Sequence, residues 1–216
     1  MVGSMNSGSL DGELETYLRL SEAIPGWTRG EEAQELLQVS HSLSEGCVIV
    51  EIGSFFGSGA ILLAGPRRIR GSGLVHCVDP FDCSGDAFSV PHYRRILGEH
   101  GGASLRDLFE RNIHAVGLDP WVQIHQGRAE EVAGTWTTPI DLLFLDGDQS
   151  RKGVCQVYNS WVRFLKAGGI IAVHNSASEN RTLDHDGHRC IVEEEIEKPH
   201  YYNIRLIGST TFAVKT

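Results

Sequence analysis

The sequence predicts an α/β fold, a mostly parallel sheet with helices on both faces. Three observations predict it. From residue 47 onward, short apolar runs alternate with longer segments of helical spacing. Four of those runs end in an ionisable residue: Glu51, Asp79, Asp146 and His174. The last two runs, Tyr201 to Ile207 and Thr210 to Lys215, are joined only by Gly208 and Ser209. A two-residue link forces an antiparallel hairpin at the end of the sheet.

The elements follow in order. Leu14 to Ala23 and Glu31 to Leu43 have helical apolar spacing. The turn-rich connector between them holds Gly26 and Trp27, and Thr28 is placed to cap the second helix with Glu31 as its capping-box partner. Trp27 is either a packing anchor or a lid over a ligand. Cys47 to Ile52 reads as the first strand, followed by a glycine loop and a helix opening at Ala60. Leu74 to Val78 is the second strand, Trp121 to His125 the third, Ile140 to Leu145 the fourth and Ile170 to Val173 the fifth. Ser104 to Val116 and Gly153 to Leu165 are helices, the first stopped by Gly117 and the second by Lys166 to Gly169. Phe81 to Gly102 reads as a polar, irregular cover. Glu193 to Glu197 reads as the polar face of a helix.

Composition narrows the function. With 216 residues and 41% hydrophobic content the chain reads as one globular domain. Its expected parts are a disordered tail or cloning remnant (1–10), an N-terminal helical cap (11–46) and the main domain (47–216). A net charge of −9 argues against nucleic acid as partner, because such binders need a basic footprint. No apolar run reaches transmembrane length and no signal-peptide pattern opens the chain. The five cysteines are odd in number and lack a Cys-x-x-Cys pair, so buried, reduced thiols in the cytoplasm are expected. The expected partner is a small molecule, with a homo-oligomer left open.

Val48 to Gly59 carries the cofactor signal. A strand, a loop with Gly53, Gly57 and Gly59, and a helix form the unit that holds nucleotide-like cofactors. Glu51 at the mouth of the loop would repel a diphosphate and attract an ammonium group. No Lys or Arg lies between Glu51 and Pro66. That points away from NAD and ATP and toward S-adenosylmethionine, which carries no phosphate. Asp79, at the end of strand two, suits the hydroxyls of a ribose, against the alternative of an Asx-turn before Pro80. Ala129 after strand three could frame an adenine edge. Arg128 beside it has the alternative of a surface ion pair with Glu130 or Glu131.

An ordered set of motifs makes the resemblance specific. The set is Glu51-Ile-Gly53-Ser54-Phe-Phe-Gly57-Ser-Gly59, Val78-Asp79-Pro-Phe81, His125-Gln-Gly127-Arg128-Ala129, Phe144-Leu-Asp146-Gly-Asp148, Leu165-Lys-Ala-Gly-Gly169 and Val173-His174-Asn175. The chain resembles the class I S-adenosylmethionine-dependent methyltransferases. It is most similar to small-molecule O-methyltransferases of the macrolide-sugar, cephalosporin and catechol types. The resemblance implies a Rossmann-like seven-stranded sheet of order 3-2-1-4-5-7-6 with strand seven antiparallel. It implies Glu51 and Gly53 at the methionine moiety, Asp79 at the ribose, Arg128 and Ala129 near adenine, and Ser54, Gly57, Gly59 and Asp146 in the same cofactor site. Relatives commonly carry Asp-Gly-Asp-His after strand four and His-Asp after strand five. Here Gln149 and Asn175 stand at the last position of each.

The acceptor chemistry leaves two arrangements. In one, Asp146, His174 and Asn175 hold a divalent metal that orients the acceptor oxygen and lowers its pKa. In the other, no metal is used. His174 is then the general base and Asp146 orients it or the substrate. A buried strand-end histidine is the plain alternative for His174. Asp184 to His188 reads as a solvated loop after strand five that could supply a different base. The expected function is methyl transfer from S-adenosylmethionine to a hydroxyl of a sugar or specialised metabolite. A non-catalytic S-adenosylmethionine-binding module and an NAD-linked oxidoreductase are the alternatives.

Overall fold

The computed structural model describes residues 7–177 and 185–216. Two helices open the chain, α1 (Ser7–Glu22) and α2 (Gly30–Ser42). Then come β1 (Val48–Ile52), α3 (Ser58–Arg70), β2 (Leu74–Asp79), α4 (Ser89–Gly98), α5 (Leu105–Ala115), β3 (Val122–Gln126) and α6 (Ala129–Ala133). The second half holds β4 (Ile140–Leu145), α7 (Arg151–Trp161), β5 (Leu165–Val173), α8 (Gly187–Glu195), β6 (Tyr201–Ile207) and β7 (Thr210–Lys215). The seven strands form one sheet of order β3-β2-β1-β4-β5-β7-β6. β1 to β5 pair in parallel, while β7 runs antiparallel to both β5 and β6.

Period-two alternation builds two cores from one sheet. Ile49, Leu142 and Phe144 face the side covered by α1, α2, α3 and α5. Val50, Ile52, Leu143 and Leu145 face the side covered by α6, α7 and α8. The central strands are apolar on both faces because both faces are covered. α1 and α2 feed Leu14, Tyr17, Leu36 and Leu37 into the first core. All five cysteines are free, and Cys47 and Cys77 are buried among apolar neighbours.

Three local expectations are corrected. Ser7 to Leu10 belong to α1 rather than to a disordered tail, and residues 1–6 lie outside the described residues. The irregular cover contains α4, with Pro91 in its first turn, where a missing N–H costs nothing. α2 is capped one residue later than expected: Arg29 is the cap residue, and its backbone N–H donates to Glu32 rather than Thr28 pairing with Glu31.

Candidate active site

The carboxyl ends of β1, β2, β4 and β5 open into one cavity of about 630 Å³. In open parallel sheets that edge is where ligands bind. Glu51, Gly53, Ser54, Gly59, Asp79, Arg128, Ala129, Asp146, His174 and Asn175 all line it. Gly57 does not. It caps α3 in the left-handed conformation, with φ +93°.

Gly53 shows why the loop needs glycine. Its φ is +89°, and a Cβ there would lie 2.5 Å from the Asp146 carbonyl oxygen. The loop therefore rests directly on the end of β4. Glu51 lies beneath it, 1% exposed, accepting a hydrogen bond from Ser54 Oγ at 2.6 Å. Burial pushes the Glu51 carboxyl up to about 8, against the hydrogen bond from Ser54. The sequence reading placed an anion at the mouth of the loop. The structure places the acid under it, where burial favours the neutral carboxyl, because β1 is central and α3 closes over its end.

Asp79 makes the Asx-turn of its sequence reading and also lines the cavity. Its Oδ1 accepts from Phe81 N at 2.6 Å, which is the Asx-turn. Its Oδ2 accepts from Ser54 N at 2.8 Å and Phe55 N at 3.0 Å, so it also pins the glycine loop. A carboxylate has about four acceptor positions, and roughly one remains to face the cavity. Arg128 makes the surface ion pair, its Nε 2.8 Å from Glu130. Ala129 is buried on the cavity wall.

Asp146 and His174 meet as expected, but the histidine is differently placed. His174 Nδ1 donates to Asp146 Oδ1 at 2.5 Å, and His174 Nε2 faces Glu32 Oε1 at 3.4 Å. Burial alone would lower the His174 pKa. Asp146 and Glu32 outweigh it and raise the imidazole to about 10. An imidazolium between two acids has no lone pair to accept a proton. His174 therefore does not fit the role of general base. It holds Asp146, whose other oxygen lies 3.5 Å from Thr28 Oγ1.

The expected metal ligands do not converge either. Both ring nitrogens of His174 face carboxylates. The Asn175 side chain turns toward Gln149 Oε1 at 2.8 Å and His185 Nε2 at 3.1 Å. Among the described residues, no group of three His, Cys, Asp or Glu side chains is arranged to hold a metal ion. The donor set does not fit the metal arrangement.

The described part of the histidine-bearing segment, His185 to His188, is buried rather than solvated. Asp184 lies outside the described residues, while His185 and His188 are both buried. His188 Nδ1 donates to the His174 carbonyl at 2.7 Å. His185 Nδ1 lies 3.1 Å from Asp86 Oδ1, and His185 lines the cavity. The two side chains engage different partners, so their spacing is not a metal pair.

A family model described as a methyltransferase domain matches residues 50–176, from β1 to the end of β5. The chain belongs to this methyltransferase family. The methyltransferase is also similar in fold to solved structures. One is the O-methyltransferase from Bacillus cereus in complex with SAH, 18% identical, with a TM-score of 0.60 over 95% of this chain and 91% of that one. A second is the SAH-bound Podospora anserina methyltransferase PaMTH1, 13% identical, with a TM-score of 0.62 over 100% of this chain and 99% of that one. A third is the O-methyltransferase NovP, 15% identical, with a TM-score of 0.63 over 85% of this chain and 79% of that one.

Glu32 and Asp86 escaped the sequence reading of the methyltransferase site, and Thr28, read as a helix cap, is a partner of Asp146 instead. Glu32 sits on a helix rich in acids, and nothing in the spacing marks it off from Glu31 or Glu35. The one available signal was Gly26. A Cβ there would lie 2.7 Å from Ser58 Cβ, so the connector must press against the start of α3.

Proposed function

We propose that this methyltransferase transfers a methyl group from S-adenosylmethionine to a hydroxyl of a small molecule, a sugar or specialised metabolite. The observation that carries the reading is the cavity itself. A phosphate-free cofactor suits a glycine loop with a buried acid beneath it and no Lys or Arg between Glu51 and Pro66. SAH complexes among similar folds support the same cofactor.

The residues divide the work. The Gly53 backbone and Ser54 border the place for the amino-acid end, and the remaining acceptor position of Asp79 faces the ribose. Ala129 forms the adenine wall. Bound there, the cofactor supplies an electrophilic methyl on a sulfonium. Asp146 lies at the junction between cofactor and acceptor, held by His174 and Thr28. The chain's main contribution to rate is alignment of the acceptor oxygen with the methyl group.

Calorimetry with S-adenosylhomocysteine tests the cofactor assignment, with micromolar or tighter binding expected and absence of binding rejecting it. Release of labelled methyl groups into hydroxylated acceptors tests the reaction. Tight cofactor binding without turnover on any acceptor would favour a non-catalytic binding module.

A further inference from the structure

Two carboxylate–imidazole pairs bring His174 and His185 to the cavity wall, and they are built differently. In the pair Asp146–His174 both ring nitrogens face acids. In the pair Asp86–His185 only one nitrogen faces an acid. Asp86 Oδ1 can only accept, so His185 Nδ1 carries the proton. Nε2 faces no acid but the Asn175 amide, at 3.1 Å, so in the neutral ring with Nδ1 protonated it is Nε2 that holds the lone pair. That tautomer is the one a general base requires.

Asp86 is itself firmly placed. Its Oδ1 accepts from the backbone N–H groups of Phe88 (3.1 Å) and Ser89 (2.9 Å) at the start of α4, and its Oδ2 lies 3.4 Å from Gln149 N. The carboxylate is anchored to two elements, β4's following loop and α4, before it meets the histidine. The Phe88 ring lies 4.4 Å from the His185 ring, centroid to centroid, yet Phe88 is 47% exposed and lines the cavity. Trp27, 45% exposed, lines the same cavity from the N-terminal connector. Two large rings left open on one cavity mark a surface for a flat apolar ligand.

We propose that His185, oriented by Asp86, is the catalytic residue that removes the acceptor's proton, and that the acceptor is a phenol whose ring lies against Phe88 and Trp27. The inference rests on the methyltransferase reading above. As the acceptor oxygen attacks, its O–H proton passes to His185 Nε2, displacing the Asn175 amide from that position. A new O–CH₃ bond forms while the S–CH₃ bond breaks, and the electron pair of that bond returns to sulfur as a neutral thioether. The proton then leaves His185 for solvent. No oxidant, reductant or metal enters the balance. The acceptor class follows from acidity. A phenol ionises near ~10, within reach of an imidazole base, whereas an aliphatic hydroxyl lies closer to water at ~15.7 and calls for a metal or a stronger base.

The test uses the full chain with methyl-labelled S-adenosylmethionine and four probes: phenol, catechol, caffeic acid and methyl glucoside. At least one phenolic probe is expected to be methylated and methyl glucoside not. His185→Gln should lower kcat about 100-fold or more, with S-adenosylhomocysteine affinity by calorimetry within about twofold. His185→Gly should regain activity when imidazole is added to the buffer. Asp86→Asn keeps the α4 cap and removes the charge. It should lower kcat about tenfold with KM little changed, and nitrogen NMR should show the His185 tautomer redistributed. Wild-type turnover in His185→Gln would overturn the proposal. So would methylation confined to methyl glucoside, or no methylation of any phenol by protein that binds S-adenosylhomocysteine. Absence of S-adenosylhomocysteine binding would instead reject the cofactor reading on which this one stands.

Discussion

Glu32 on the second helix faces His174 at the end of β5, with 3.4 Å between Oε1 and Nε2. The same carboxylate accepts through Oε2 from Ser209 N (2.7 Å), Ser209 Oγ (2.8 Å) and Thr210 Oγ1 (2.9 Å). One acid thus ties the N-terminal cap, a strand end and the terminal hairpin. Glu32→Ala leaves a buried imidazolium half-paired and the turn donors unmatched. The expected loss is ~3–5 kcal/mol of unfolding free energy. Urea denaturation of the variant checks it, and a loss under ~1 kcal/mol would show that the pair is dispensable.

Asp79→Ala removes the acceptor for three backbone N–H groups as well as the cavity-facing lone pair. S-adenosylhomocysteine should bind ~10- to 100-fold more weakly, the equivalent of one or two lost hydrogen bonds to a charged acceptor. Titration calorimetry reads this directly. Unchanged affinity would move the ribose elsewhere.

Gly53→Ala puts a methyl group on the Asp146 carbonyl at a φ of +89°. The loop must lift from β4. The variant should lose about 2 kcal/mol or more of stability, along with most of its cofactor affinity. A fully stable variant with normal binding would refute the close approach.

The raised pKa of Glu51 makes two linked predictions. An acid held at about 8 when folded and near ~4.5 when unfolded binds more protons in the native state between those values. Stability of the cofactor-free protein should therefore fall as pH rises from about 4.5 to about 8 and level off above. Glu51→Gln should flatten that slope in thermal melts. Because the cofactor is cationic, its binding near pH 7 should release a proton from Glu51. Calorimetry in buffers of different ionisation enthalpy measures that release, and proton uptake would contradict it.

The occupied His174 nitrogens predict metal independence. Turnover should be unchanged by a chelator or by added magnesium. Abolition by the chelator would mean that Asp146 and Asn175 leave their present partners to take a metal ion.

Much of the fold was legible because its signals are local. The Gly208-Ser209 link announces the antiparallel strand, and a polar residue stands at or next to the end of each parallel strand. α4 was hidden because its exposed, polar sequence spreads apolar residues around Pro91. At the site, Asp146, Asp79 and the glycines were visible as strand ends, which topology brings to one edge. The electrical state of His174 was not visible. It depends on Glu32, which reaches it only through the packing of α2, and sequence separation conceals such a partner. Asp86 was hidden for the same reason, inside a segment read as irregular.

The bond between Glu32 and the Gly208–Thr210 turn also sets an order of events. β7 enters the sheet between β5 and β6, so the place beside β5 is filled by a segment synthesised after β6. Until that segment arrives, Glu32 has no hairpin to grip, and His174 lacks the fixed counter-ion that orients Asp146. A nascent chain can complete the glycine loop early, yet it acquires a working reaction centre only when β7 is in place. Maturation of the centre is thereby coupled to insertion of β7.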